Sequence, residues 1–516
     1  MNSNTYSIKN ALISVTDKTG IVDFAKELNN LGVIIYSTGG TYKLLADNSI
    51  PVKSVSEITN FPEILDGRVK TLHPKIHGGI LARLDLPEHT LAMTAHDISS
   101  IDMVVVNLYP FEEALSKGLD HPEMVENIDI GGPTMLRSAA KNYQWTAPVV
   151  NPDKYQQIID MMKQNNNALS EDYRCTLAGE VFRHTAYYDS LIAGYFRKYN
   201  NEAFPEKSAI PMKSIQSLRY GENPHQSAKL YGNHFNKVFK QLHGKELSYN
   251  NILDIDSISR MILEFDAPTA AIVKHTNPCG VGTADNLLTA YQRAFATDTV
   301  SPYGGIIAFN RNLDISTVEE INKIFSEVII APSIDEDALE LLRKRKDRRL
   351  IIADFETMRK VLEVEVKSVA GGFLVQQTDT KMITENDLKI VTKRKPTEDE
   401  IKAMLFGWKV VKHVKSNAIV YSAAQNTLGI GCGQMSRVDS ARIAAEKAKE
   451  MGLDLQNCAV ASDAFFPFAD AVLQAVSVGA TCVIQPGGSI RDEEVIAAAD
   501  EHNLAMVFTG NRHFKH

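Results

Sequence analysis

The sequence predicts an α/β protein with a parallel sheet in its first half. Three observations carry this: short apolar runs rich in Val and Ile, amphipathic segments between them, and Gly-containing loops at the junctions. Apolar strands alternating with helices imply a parallel sheet covered on both faces.

Taken in order, Ala11-Leu12-Ile13-Ser14-Val15 is the first strand, followed by the loop Thr16-Asp17-Lys18-Thr19-Gly20. Residues 21–31 form an amphipathic helix closed by Gly32. Residues 33–36 are the next strand, and Ser37-Thr38-Gly39-Gly40-Thr41 leads into another helix. Residues 101–108 repeat the strand pattern, and residues 133–141 read as a helix with Pro133 first. A polar stretch with two prolines at 198–211 marks a boundary, so domains are expected at 1–203 and 204–516. Beyond it, strands are expected at 269–274, 305–309, 417–421 and 481–485. The capping box Thr397-Glu398-Asp399-Glu400 starts a helix, and a subdivision is expected near 385–396. A faint repeat is visible as a Lys close to an Asn in two places, Lys274/Asn277 and Lys415/Asn417.

The 516 residues are 44% hydrophobic and 23% charged, ordinary for a globular protein. A net charge of −8 argues against general affinity for nucleic acid. Five scattered cysteines with no Cys-x-x-Cys pair argue against a disulfide framework and for a reducing compartment. No apolar run of membrane-spanning length occurs, and the opening six residues show no leader pattern. A cytoplasmic protein is the expectation.

The loops at 16–20 and 38–41 both join a strand end to a helix start, where free N–H groups favour a phosphate. An ordinary βα turn is the competing reading for either alone; two on consecutive strands strengthen the functional one. Arg68, Lys70, His73, Lys75 and His77 crowd ten residues between glycines; a solvated basic loop is one reading, and in an acidic chain a focused anion pocket is at least as strong a one. Asn107 and Tyr109 end a strand, and Asp129 precedes the helix that carries Lys141. An Asp and a Lys in one pocket could exchange a proton. In the second half, Lys274-His275-Thr276-Asn277-Pro278-Cys279-Gly280 follows an apolar strand. It places a base beside a cation, and Pro-Cys-Gly is expected not to continue the strand. The aromatic run Phe465-Phe466-Pro467-Phe468 is either core or a stacking surface for a flat heterocycle. Pro278-Cys279 is reminiscent of the zinc deaminases, but Gly282 stands where their second cysteine would be, so no zinc is expected.

Together these strings resemble, over essentially the whole chain, the family of bifunctional purine biosynthesis proteins. That family joins IMP cyclohydrolase to aminoimidazole carboxamide ribonucleotide (AICAR) formyltransferase. The resemblance implies a methylglyoxal-synthase-like first domain and a formyltransferase half of two cytidine-deaminase-like units without zinc. It implies 10-formyltetrahydrofolate as co-substrate, no tightly bound cofactor, and a homodimer with shared formyltransferase sites.

Carried over by motif, the nucleotide site of the cyclohydrolase comprises Thr16, Asp17, Lys18, Thr38, Gly39, Gly40, Thr41, Arg68, Val69, Lys70, Thr71, Asn107, Asp129 and Ile130. Lys141 would transfer the proton, assisted by Lys70, Tyr109 and Asp129. AICAR would meet Arg219, Tyr220, His275, Gly304, Glu327, Asn417, Arg437, Phe465 and Arg512. His275 would act as base and Lys274 as oxyanion partner. Val438, Asp470, Ser489 and Ile490 would lie toward the folate. Pro302-Tyr303, Glu327, Ala469 and Cys432 depart from the usual pattern. The rival reading is a nucleotide-binding regulator without turnover; the intact set Lys70, Lys141, Lys274 and His275 speaks for an enzyme.

Overall fold

The computed structural model describes residues 5–65 and 67–516. Residues 1–4, part of the stretch read for a leader, and Asp66 lie outside the described residues. The chain divides into two compact units between Met212 and Lys213. The expected 203/204 boundary lies in the irregular stretch between the helix Glu171–Tyr199 and the strand Lys213–Leu218.

The first unit is built on a five-stranded sheet: β1 (Asn10–Ser14), β2 (Ile34–Ser37), β3 (Lys53–Ser54), β4 (Met103–Val106) and β5 (Ala147–Val149). The order is β3-β2-β1-β4-β5 and every pair is parallel. Side chains alternate between two cores. Ile13 and Val105 join Phe24, Leu28 and Ile158 on one face, while Leu12, Val104 and Val106 join Leu136 and Val181 on the other. Both faces are therefore covered, as a parallel sheet requires. The strand order reverses at β1, and a crevice at the carboxyl ends of β1 and β4 follows from that topology. The helix Gly131–Lys141 begins two residues before Pro133, so the proline sits third and not first. The N–H it lacks has no intrahelical partner at that position, so the helix loses nothing.

The second unit contains two six-stranded sheets. The first holds β6 (Phe239–His243), β7 (Thr269–Lys274), β8 (Asn277–Thr283), β9 (Ile306–Phe309), β10 (Val328–Ala331) and β11 (Arg349–Ala353). The second holds β12 (Lys389–Ile390), β13 (Ile419–Ser422), β14 (Thr427–Gly431), β15 (Ala459–Ser462), β16 (Cys482–Gln485) and β17 (Ala505–Phe508). Their orders, β6-β11-β10-β9-β7-β8 and β12-β17-β16-β15-β13-β14, are the same connectivity twice. The parallel and antiparallel pairings also match. The helices Tyr249–Ile262 and Glu398–Val411 precede β7 and β13 and contribute to one shared core. The edge strands β8 and β14 meet through a Gly282–Asn426 bridge and a 3.0 Å bond from the Val281 N–H to Thr427 Oγ1.

One expectation needs correction here. The Lys and Asn pairs do not mark the repeat, because Lys274 ends β7 whereas Lys415 and Asn417 precede β13. Its sequence mark is Gly280-Val281-Gly282 in β8 against Gly429-Ile430-Gly431 in β14. A Cβ on Gly280 would fall 2.0 Å from the Ala294 carbonyl, and one on Gly431 1.9 Å from that of Ser440, so glycine alone admits the following helix in each half. As expected, Pro278-Cys279-Gly280 does not continue β7, which ends at Lys274; the tripeptide belongs to the separate strand β8. It is the return arm of a hairpin at the sheet edge, where a missing proline N–H is tolerated. The register steps from Ile272/Gly280 to Val273/Pro278, leaving Cys279 as the extra residue of a bulge.

Candidate active sites

The carboxyl ends of β1, β2 and β4 open into a cavity of about 710 Å³. Thr16, Lys18, Thr38 to Thr41, Arg68, Lys70, Thr71, Asn107, Tyr109, Asp129 and Ile130 all line it.

Its floor is held by side chains that bridge loops. Asn107 Oδ1 accepts the N–H groups of Thr16 (2.5 Å) and Asp17 (2.9 Å), and its Nδ2 donates to the Asp17 carbonyl at 3.0 Å. The carboxamide thus shapes the loop with three of the four hydrogen bonds it can make. Lys18 Nζ donates to the Val15 carbonyl and, at 2.6 Å, to Thr41 Oγ1; burial pushes its pKa down. The helix Gly39–Asp47 starts at Thr38 without a side-chain cap. Its first-turn N–H groups, with no intrahelical partners, form an anion site. Lys70 reaches the same place: a Cβ on Gly39 would lie 3.6 Å from its ammonium.

Across the cavity, Asp129 Oδ1 accepts the Gly132 N–H at 2.9 Å. Burial raises the Asp129 carboxyl above the ordinary range, an effect opposed by the Gly132 and Tyr109 N–H groups and by Lys70. A lysine and a carboxyl with a raised pKa thus face one nucleotide-sized space.

Several expected residues stand elsewhere. Lys141 is the exposed last residue of its helix, about 15 Å along the axis from the Gly131 end that borders the cavity. The exposed Asp17 carboxylate accepts the Thr19 N–H at 2.9 Å, and Val69 pairs with Ile64. Of the five clustered cations only Arg68 and Lys70 face the cavity. His73 caps the helix Pro74–Leu81, Lys75 pairs with Asp97 at 2.8 Å, and His77 meets Ser138 at 3.2 Å. Sequence reasoning missed Glu126, which lines the mouth and pairs with Arg68. It also missed Tyr188, whose hydroxyl accepts the Asp129 N–H at 2.8 Å. Tyr188 lies on the apolar stripe of a long helix and carries no local signal.

In the second unit, Lys274 ends β7 and Asn277 begins β8, so His275 and Thr276 are the whole hairpin loop. Both have positive φ, 53° and 61°, the condition for a type I′ turn. Lys274 Nζ donates to the carbonyls of Tyr303 (2.9 Å) and Ser301 (3.3 Å). Gly304 and Glu327 just precede β9 and β10, placing them at the same sheet edge. Glu327 is held by Asn251 (3.2 Å) and Arg349 (3.0 Å). Beneath the turn, Asp254 Oδ1 accepts the Thr276 N–H at 2.6 Å, and burial raises the Asp254 carboxyl. Burial pushes the Cys279 thiol up to about 12, which disfavours the nucleophilic thiolate.

The other cluster lies at the carboxyl ends of β15 to β17. Arg437 bonds the fully buried Asp463 at 3.1 Å, and the Arg437 and Arg512 guanidiniums lie 5.6 and 4.5 Å from the Phe514 ring. Asn417 Nδ2 donates to the carbonyls of Gln434 (2.9 Å) and Met435 (3.1 Å). The aromatic run divides: Phe466 is core, Phe465 is half-buried, and Phe468 is exposed beneath Arg491 at 4.7 Å. Val438 lies in the first turn of the helix Arg437–Glu450, and Asp470 opens the helix Asp470–Ser477. Ser489 caps the Arg491 N–H at 3.1 Å, and Ile490 is fully exposed. The two clusters are joined where Asn277 Oδ1 accepts the Lys415 N–H at 3.1 Å. Arg219 and Tyr220 follow a separate hairpin strand and pack on each other at 5.6 Å.

Among the described residues no helix is long and apolar enough to cross a membrane. A family model described as "MGS-like domain" matches residues 20–134, and one described as "AICARFT/IMPCHase bienzyme" matches residues 139–447. The "Bifunctional purine biosynthesis protein PurH" of Chlorobaculum parvum is 54% identical over 99% of both chains. The protein of the same name from Chlorobium phaeobacteroides strain BS1 is 52% identical over 99% of both. A solved structure titled "Crystal structure of ForH" covers 36% of this chain and 96% of its own at 35% identity, with a TM-score of 0.33. The chain belongs to the AICARFT/IMPCHase bienzyme family. It is a bifunctional enzyme of purine biosynthesis, an AICAR formyltransferase and an IMP cyclohydrolase in one polypeptide.

Proposed function

We propose that the cavity of the first unit is the cyclohydrolase site and that the β7–β8 turn is the formyl-transfer centre, in domains 1–203 and 204–516. The observation that supports this best is the convergence on one cavity of an uncapped helix start, Lys18, Lys70 and a buried Asp129. The phosphate of formyl-AICAR would sit on the Gly39–Asp47 helix start. Ring closure needs positioning and proton movement, and Lys70 and Asp129 are placed to supply both. Tyr109, half-exposed at the rim, would orient the base. Lys141 would act only indirectly from its exposed position.

In the second unit the 5-amino group of AICAR attacks the formyl carbon of 10-formyltetrahydrofolate, the co-substrate. That nitrogen is a poor nucleophile and needs a base, for which His275 is positioned on a fixed turn. An ammonium has three N–H donors, and Lys274 spends two on carbonyls. The third is available for the oxyanion. Arg437, Arg512, Asn417, Phe465, Gly304 and Glu327 would hold AICAR, with Arg219 and Tyr220 completing the site. Val438, Asp470, Ser489 and Ile490 would face the folate. We read the duplicated halves as cytidine-deaminase-like units without zinc, and the protein as a cytoplasmic homodimer.

The test supplies AICAR and 10-formyltetrahydrofolate to Lys70→Met and follows tetrahydrofolate and IMP. Tetrahydrofolate release with accumulating formyl-AICAR supports the assignment, and undiminished IMP formation overturns it.

A further inference from the structure

Lys515 lies on neither predicted site, yet it touches both clusters of the second unit. Its backbone pairs with Ser416: the Ser416 N–H donates to the Lys515 carbonyl at 3.0 Å and the Lys515 N–H to Ser416 Oγ at 3.1 Å. Ser416 Oγ in turn donates to Asp463 at 2.5 Å, the carboxylate that holds Arg437. The Lys515 side chain runs the other way. Its ammonium donates to the His413 carbonyl at 3.1 Å and to Ser257 Oγ at 3.5 Å. Ser257 Oγ donates to the Thr276 carbonyl at 3.0 Å, inside the hairpin loop that carries His275.

We propose that Lys515 is a positioning residue for formyl transfer, its ammonium fixing the His275–Thr276 loop, through Ser257, against the segment that carries Asn417. This rests on the assignment of that loop as the formyl-transfer centre. Two bonds hold the loop from below, Asp254 on the Thr276 N–H and Ser257 on its carbonyl, and the second depends on Lys515 to orient the hydroxyl. Asp256 and Arg260 on the same helix as Ser257, Glu365 on a neighbouring hairpin, and His413 and Lys415 on the facing segment surround the ammonium. Burial dominates that balance and brings its pKa down to about 8, within reach of assay pH. Above that pH a neutral amine makes the same two contacts without charge assistance.

The full-length wild type, Lys515→Met, Lys515→Arg and Ser257→Ala are compared for formyl transfer, with cyclisation of supplied formyl-AICAR as the folding control. We expect Lys515→Met to lose about tenfold in kcat while KM for AICAR stays within about twofold. Lys515→Arg should keep kcat near neutrality and fall less than wild type from about pH 8 to about pH 9.5, because guanidinium stays charged. Unchanged kcat in Lys515→Met, or a Lys515→Arg profile that falls in parallel with wild type, overturns the inference. If Lys515→Met also loses cyclisation, Ser257→Ala decides: a several-fold loss in kcat supports the relay and an unchanged kcat overturns it. A His275→Ala protein that still transfers formyl would instead overturn the assignment on which the inference rests.

Discussion

Asp254 accepts the backbone N–H of Thr276 at 2.6 Å, tying a helix to a hairpin loop 22 residues later in the chain. The loop needs that tie. Thr276 is β-branched and holds a φ of 61°, where such residues are rarely found. Asp254→Ala leaves the strained conformation without its anchor. We expect formyl transfer to fall at least tenfold with cyclisation unchanged, read by paired assays on one preparation. Thr276→Gly should stabilise the second unit by about 1 kcal/mol, measured by denaturant unfolding, because glycine adopts positive φ without a Cβ clash.

Asp129 gives the pH prediction. Its folded-state pKa is raised by burial, so the folded protein binds more protons than the unfolded chain between the ordinary carboxylate pKa and the raised one. Stability contributed by this group therefore falls as pH rises through that window and stays at its lower level above it. Asp129→Asn should raise Tm at pH 7, with the gain vanishing at acidic pH. Cyclisation should fall by about a hundredfold or more.

Asn107 shapes the cavity through three hydrogen bonds to Thr16 and Asp17. Asn107→Ala removes all three and is expected to destabilise the protein by about 2 kcal/mol. KM for formyl-AICAR should rise more than kcat falls, which steady-state kinetics would separate.

Arg437→Met strands the Asp463 carboxylate in a fully buried position. Breaking such a pair costs about 3 kcal/mol or more, so lower stability and weaker AICAR binding should appear together. Arg437→Met with Asp463→Asn should recover stability but not AICAR affinity.

The cavity of the first unit was legible because most of its lining comes from local strings: Thr16, Lys18, Thr38 to Thr41 and Asn107 at strand ends, with Arg68, Lys70 and Thr71 from a connecting loop. Parallel topology alone brings those ends to one rim. Tyr188, Asp254, Ser257 and Lys515 were illegible for the opposite reason. Each makes its contact across the fold, from a position whose local pattern is only amphipathic or polar. Pro278-Cys279-Gly280 was legible as the end of β7 but not as a strand of its own, because a proline argues against a central strand and nothing local says that β8 is an edge. The duplication hid behind its true mark, paired glycines whose meaning appears only when a helix packs on them.

The most direct test of the two-site account is to assay His275→Ala, full length, for both half-reactions. The account predicts that formyl transfer from 10-formyltetrahydrofolate to AICAR is abolished while supplied formyl-AICAR is still converted to IMP at the wild-type rate. Loss of both activities in folded protein, or survival of formyl transfer, would contradict it.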